Sequence, residues 1–207
     1  MTTTAEGVSE RATIAKITWR LLPLIALGYA IAYIDRVNIS FAALQMNRDL
    51  GFSATVYGLG AGLFFLSYAA LEVPSNMILA KVGARRWIAR IMITWGVLAM
   101  GMARVQTPMQ LYAVRFLPGA AEAGFFPGVL YYVTLWFPET HRARAITRFY
   151  FAVPLGAAAM GAMAGGLLGL EGALGLHGWQ WLFLVQGLPA VLLSLVVRLR
   201  LPDGPDK

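Results

Sequence analysis

Six apolar runs, at about 21–44, 54–80, 87–105, 108–136, 145–170 and 179–199, decide what this chain can become. Each is near or above the roughly 20 residues an α-helix needs to cross the hydrocarbon core of a bilayer. Only 13% of the residues are charged and 58% are hydrophobic, against about 25% charged in a soluble domain. A domain of this size has too little interior to hide so much apolar surface. The expected fold class is therefore all-α transmembrane, with six spans. The start of the chain imitates a secretory signal: Arg11, Lys16 and Arg20 lead into Leu21-Leu22-Pro23-Leu24, and Ala30-Ile31-Ala32 follows. The helix continues past that point through Phe41-Ala42-Ala43-Leu44 to a spanning length, which excludes a cleaved leader.

Loop charge predicts the orientation. Arg11, Lys16 and Arg20, then Lys81, Arg85, Arg86 and Arg90, then Arg142, Arg144 and Arg148, and finally Arg198, Arg200 and Lys207 fall on one side; Arg48 and Arg104 fall on the other. The positive-inside rule puts both termini in the cytoplasm, as an even number of spans requires. The same distribution accounts for the net charge of +7 without nucleic acid. Cysteine is absent, so disulfides and thiolate chemistry are excluded. The two histidines, His141 and His177, lie outside the apolar runs and far apart in sequence, which argues against a metal site or catalytic triad. No nucleophile–base pair or phosphate loop is present, and an enzyme is not expected. Gln106-Thr107-Pro108 is a short link that predicts a tight hairpin between the third and fourth spans. Small residues recur every four positions at Ala157, Gly161, Gly165 and Gly169, at Ala120, Gly124 and Gly128, and at Gly58 and Gly62. Such stripes are read as places where helices pack closely. Pro74, Pro118, Pro127 and Pro154 can kink their helices.

Charges inside the spans carry the functional reading. Asp35 and Arg36 lie in the first span, Arg115 and Glu122 in the fourth. Ionisable groups at membrane depth face partners or water-filled cavities and mark transport paths by default. Asp35 and Arg36 point about 100° apart, and Arg115 and Glu122 sit roughly 10 Å apart along one helix face. Neither pair satisfies itself, so each group needs a partner from another helix, a substrate or water. Helices 1 and 4 are therefore expected to face each other across a polar space. The four charges sum to zero; a proton on one carboxylate leaves the set at +1, ready for one anion. Proton and anion then favour each other's binding, the thermodynamic basis of symport. The planar fork of Arg36 suits a substrate carboxylate. Glu122, among Ala121, Ala123 and Gly124, is the expected proton carrier, with Asp35 as helper. Tyr68 offers a hydroxyl to a polar ligand, on one helix face with Glu72. A structural ion-pair network is the plainer alternative.

Three patterns resemble a known family. Tyr33-x-Asp35-Arg36-x-Asn38-x-Ser40, Arg115-Phe116-Leu117-x-Gly119-x-x-Glu122-Ala123-Gly124-Phe125-Phe126-Pro127-Gly128 and Gly178-Trp179-Gln180-Trp181-Leu182-Phe183 are similar to the anion:cation symporter family of the major facilitator superfamily. The nearest likeness is to its bacterial organic-acid branch, the tartrate, phthalate and sugar-acid transporters. The resemblance implies a six-helix N-terminal half of a major facilitator bundle, built as two inverted three-helix repeats. It implies a cytoplasmic tail at 1–16, the bundle at 17–200 and the start of a central cytoplasmic loop at 201–207. By resemblance Arg36, Tyr68, Arg115 and Asn38 are substrate-binding, and Asp35 and Glu122 couple to protons. The implied partners are a small organic anion, H⁺, the lipid bilayer, and a C-terminal six-helix half or a second copy; no cofactor is implied. The implied location is the bacterial inner membrane. Two departures stand out: Ala80 occupies the aspartate position of the family's helix 2–3 loop motif, and Gln186 stands where many members have Glu. At this length the chain is expected to be half a transporter. The competing readings are a half that only binds or assembles, and a proton-driven drug exporter, which two cavity arginines disfavour.

Overall fold

A computed structural model describes residues 5–204, with side chains from Glu10 onward. The outermost parts of the expected tail and loop, 1–4 and 205–207, lie outside the described residues. The spans appear as α1 (Ala5–Leu50), α2 (Ala54–Val82), α3 (Ala84–Gly101), α4 (Pro108–Glu122) with α5 (Phe125–Trp136), α6 (Glu139–Tyr150) with α7 (Ala152–Leu168), and α8 (Gly178–Arg200). Short 3₁₀ turns at Met102–Arg104 and Ala173–Gly175 follow α3 and precede α8. Four stretches, 10–50, 54–82, 139–168 and 178–200, are long and apolar enough to cross a membrane, the third with an interruption at Phe151. The other two spans are α3, which carries Arg85, Arg86 and Arg90 in its first two turns, and the interrupted pair α4–α5.

Local chemistry explains the edges. α1 starts well before the predicted residue 21, because nothing in 5–20 breaks a helix and Ile14 and Ile17 pack on the buried Leu22, Phe137 and Ala145. The predicted hairpin is held by a capping box: Thr107 Oγ1 accepts from Gln110 N, and Gln110 Oε1 accepts from Thr107 N. Two predicted spans are in two pieces. Pro127 and Pro154 each sit at the third residue of a new helix, where a missing N–H costs nothing. Continuing the preceding helix would drive their rings into the carbonyls of Ala123 and Tyr150, four residues back. Gly124, at φ 86°, makes the first break sharp. Pro74 and Pro118 are accommodated inside continuous helices instead.

Helix neighbours show the repeat. α1 packs on α7 and α8, α2 on α4, and α3 on α4 and α8. Exchanging the first three spans with the last three returns the same set of neighbours, as two repeats related by a pseudo-twofold axis require. On that axis α3 and α8 cross at two glycines: a Cβ on Gly96 would press on the Gly187 carbonyl, and a Cβ on Gly187 on the Gly96 carbonyl. The small-residue stripes divide. Gly124 and Gly128 pack on Ser75 and Leu79 of α2 as expected. Gly58, Gly62, Gly161 and Gly165 meet nothing within 4 Å. The packing face of α7 lies one residue over, at Gly156, Met160 and Ala164, with Gly156 against Ala30.

Candidate substrate site

Three helices position the charged groups. α1 presents Arg36, and α4 carries Glu122 as its last residue, immediately before the Gly124 break. The Arg36 guanidinium reaches Glu122 Oε1 with Nε at 2.9 Å and Nη2 at 2.6 Å. Glu122 is fully buried, whereas 23% of the Arg36 side chain is exposed, so the pair has an inner and an outer member. A carboxylate at a helix C-terminus meets the negative end of the macrodipole, and Arg36 offsets that charge. The second Glu122 oxygen has no hydrogen-bond partner. α2 slides Tyr68 under the pair, its ring centroid 4.8 Å from the Arg36 guanidinium carbon. Helices 1 and 4, expected to face each other across a polar space, are instead joined at Arg36 and Glu122 by a direct ion pair.

The four charges do not form one set around a cavity, contrary to the sequence reading. Asp35 turns towards α3, where Trp95 Nε1 donates to Oδ2 at 3.0 Å and Asn38 Nδ2 to Oδ1 at 3.2 Å. The 100° step between neighbouring helix residues sends Asp35 inward as it sends Arg36 to the cavity. Asn38, expected at the substrate, is fully buried; its Nδ2 donates to Asp35 and its Oδ1 has no hydrogen-bond partner. Arg115 lies over the Phe64 ring, guanidinium carbon 4.7 Å from the centroid, and its Nε has no hydrogen-bond partner. Its Coulombic partners are Asp35 and Glu122.

A cavity of about 460 Å³ opens beside Arg36 and Arg115, walled by Tyr29, Tyr33, Tyr57 and Tyr150. Two cations and four phenols thus surround one space, which offers positive charge and hydroxyl hydrogen-bonding groups together. The tyrosines were missed as a group. Tyr29, Tyr33 and Arg36 fall at helical spacing, which is a readable signal; Tyr57 and Tyr150 come from other helices and are joined only by the fold.

Outside the membrane, the structure joins residues that sequence spacing kept apart. Side-chain atoms of Asp49, Glu171 and His177 lie within 4.8 Å of one another at the exposed end of α1 and α8, a histidine–carboxylate grouping with the donor types a metal would need. Their present contacts are internal. His177 Nδ1 is 2.8 Å from Glu171 Oε1 and 3.3 Å from Asp49 Oδ2, and Gly178 N donates to Glu171 Oε2 at 2.6 Å. The Gly178 N–H, with His177 beside it, holds the Glu171 carboxyl below its ordinary range.

Comparison with known proteins matches residues 25–207 to the Major Facilitator Superfamily model. A protein of Agrobacterium vitis bearing a tartrate-transporter name is 54% identical over 96% of this chain and 46% of its own length. A quinolone resistance transporter of Acinetobacter baumannii is 50% identical over 96% of this chain and 46% of its own. The fold also matches the crystal structure of a bacterial homologue of the human lysosomal transporter Spinster, inward-facing and occupied. That match has a TM-score of 0.81 at 26% identity and covers 89% of this chain and 44% of the other. The chain thus spans about half the length of the relatives it matches.

Proposed function

The chain belongs to the Major Facilitator Superfamily and is a transport protein rather than an enzyme; on that premise we propose that it forms one half of a proton-coupled symporter for small organic anions such as sugar acids or dicarboxylates. The Arg36–Glu122 ion pair at the edge of a two-arginine cavity carries this reading. A proton arriving on Glu122 neutralises the partner of Arg36 and frees the guanidinium for a substrate carboxylate, which it matches bidentately. A substrate anion on Arg36 in turn weakens its hold on Glu122 and favours the proton there. Each ligand raises the affinity for the other by the same factor. Arg115 supplies the second positive charge, Tyr68 steadies Arg36 from below, and the cavity tyrosines meet substrate hydroxyls. Asp35 acts through Arg115 rather than by touching substrate, and Asn38 by orienting Asp35.

The second half of the cavity comes from another six-helix half, continuous in the same protein or a second copy. The uncovered glycine faces of α2 and α7 suit its close approach. The protein spans a bacterial inner membrane several times, with the arginine-rich end in the cytoplasm.

Radiolabelled tartrate uptake into proteoliposomes under an imposed pH gradient tests this, on the chain alone and on a two-half protein that contains it. Arg36→Ala is expected to lose saturable anion binding. Glu122→Gln is expected to keep exchange of anion across the membrane while losing accumulation driven by the gradient. Gradient-driven accumulation surviving Glu122→Gln would sink the coupling role, and unchanged affinity in Arg36→Ala the substrate role. The quinolone-named relative favours a drug-export reading instead. Under that reading the gradient drives efflux, and anionic substrates do not compete. Transport by neither form would leave a binding or assembly module.

A further inference from the structure

A groove of about 630 Å³ runs between α1 and α8 on the flank of the bundle, away from the substrate cavity. Its floor is Pro23, Leu24 and Leu27 of α1 with Val196 and Leu199 of α8, and Arg20 and Arg200 stand at one end. At 100° per residue, Arg20, Pro23, Leu24 and Leu27 centre on the face of α1 opposite to Tyr29, Tyr33, Arg36 and Ser40, which line the cavity. The groove therefore looks outward, where a membrane protein meets lipid. Leu27, Val196 and Leu199 are 52%, 42% and 79% exposed, as hydrocarbon contact allows. Trp19, 80% exposed and next to Arg20, marks the depth of the headgroups.

The two arginines have no counter-charge within ion-pair distance among the described residues. Neither Arg20 nor Arg200 enters an ion pair there, while Asp203 and Glu139 pair with Arg85 and Arg142 and Glu10 lies 3.7 Å from His141. Two unpaired guanidinium groups over an apolar trough are complementary to a phosphate that carries acyl chains. A neutral zwitterionic headgroup brings its own cation to the same place and is disfavoured.

We propose that this groove is a binding site for one anionic phospholipid, with its phosphate between Arg20 and Arg200 and its tails along Pro23, Leu24, Leu27, Val196 and Leu199. The site is independent of the substrate reading. The test is native mass spectrometry of the full chain released from mixed micelles of phosphatidylglycerol or phosphatidylcholine with matched acyl chains, with inorganic phosphate as a separate arm. One phosphatidylglycerol per chain is expected to be retained and phosphatidylcholine to be lost. Each arginine is expected to contribute about fivefold in affinity, so R20Q/R200Q should weaken retention by about 25-fold. The control pair R11Q/R144Q should leave it unchanged. Leu24→Trp keeps both arginines and fills the trough, and should expel the lipid while the helical circular dichroism and melting profile stay those of the parent. Equal retention of the two lipids, equal loss in the control pair, full retention in Leu24→Trp, or inorganic phosphate held as tightly as phosphatidylglycerol would each overturn the proposal. Retention of neither lipid would assign the groove to polypeptide contact and overturn it as well.

Discussion

Asp35 shows how a single residue in this bundle is held by groups distant in sequence. Its two oxygens receive Trp95 from α3 and Asn38 from its own helix, and it is buried. Replacing Trp95 by Phe keeps most of the ring volume and removes the donor, leaving a buried oxygen without its bond. A loss of about 1–3 kcal/mol is expected, read as a lower melting temperature of the purified protein in detergent. The same variant should leave anion affinity nearly unchanged if Asp35 works behind the cavity wall, whereas Arg36→Ala should lose affinity and, by leaving the buried Glu122 without its partner, lower the melting temperature as well. Arg36 and Arg115 illustrate a second residue-scale device: each lies over an aromatic ring of α2, Tyr68 and Phe64, which supports a cation without neutralising it.

Spans were readable from the sequence as elements because hydrocarbon thickness fixes their length, and the hairpin at Thr107 because capping chemistry is local. The break beside Glu122 was partly readable, since Gly124 and Pro127 together forbid a straight helix there. The split of the charges into Arg36–Glu122 and a separately held Asp35 was not, because it depends on which neighbour each helix face meets. The misplaced α7 stripe has the same origin: periodicity finds a face, and only packing says whether another helix covers it. At the start of α8, Glu171 binds the first N–H of the helix and the His177 ring, and its carboxyl is held low by those bonds. A depressed folded-state value means that its stabilisation is fully present above the ordinary carboxylate value, about 4.3, and fades as pH falls below it. The melting-temperature gap between the parent and Glu171→Gln is therefore expected to be open at neutral pH and to close on acidification through that region. A gap that widens on acidification would contradict the bond pattern.

At the scale of the whole molecule, the bundle buries some faces and leaves others bare. The bare glycines of α2 and α7 touch nothing in this chain, so Gly58→Leu and Gly161→Leu are expected to leave its own melting temperature nearly unchanged. In a two-half protein the same changes should abolish transport by blocking close approach, measured as tartrate uptake at equal expression. A large loss of stability in the isolated half would instead place those faces inside its own core. The arginine-rich end is tied down separately: Asp203 pairs with Arg85 at 2.9 Å, and Tyr132 donates to the Pro202 carbonyl at 2.7 Å. The segment leaving α8 is thus fastened across α3 and α5 before it departs.

Gly96 and Gly187 leave no room for a Cβ against each other's carbonyl where α3 crosses α8. Because each glycine is the other's counterpart, the crossing works like a keyed shaft: neither triplet can turn or slide without driving its own backbone into the other. A body locked at its centre passes a push from one rim to the opposite rim with little give. A push on the wall that carries Arg36 and Arg115 is then expected to move the half as one body, with bending where α4 meets α5 and α6 meets α7.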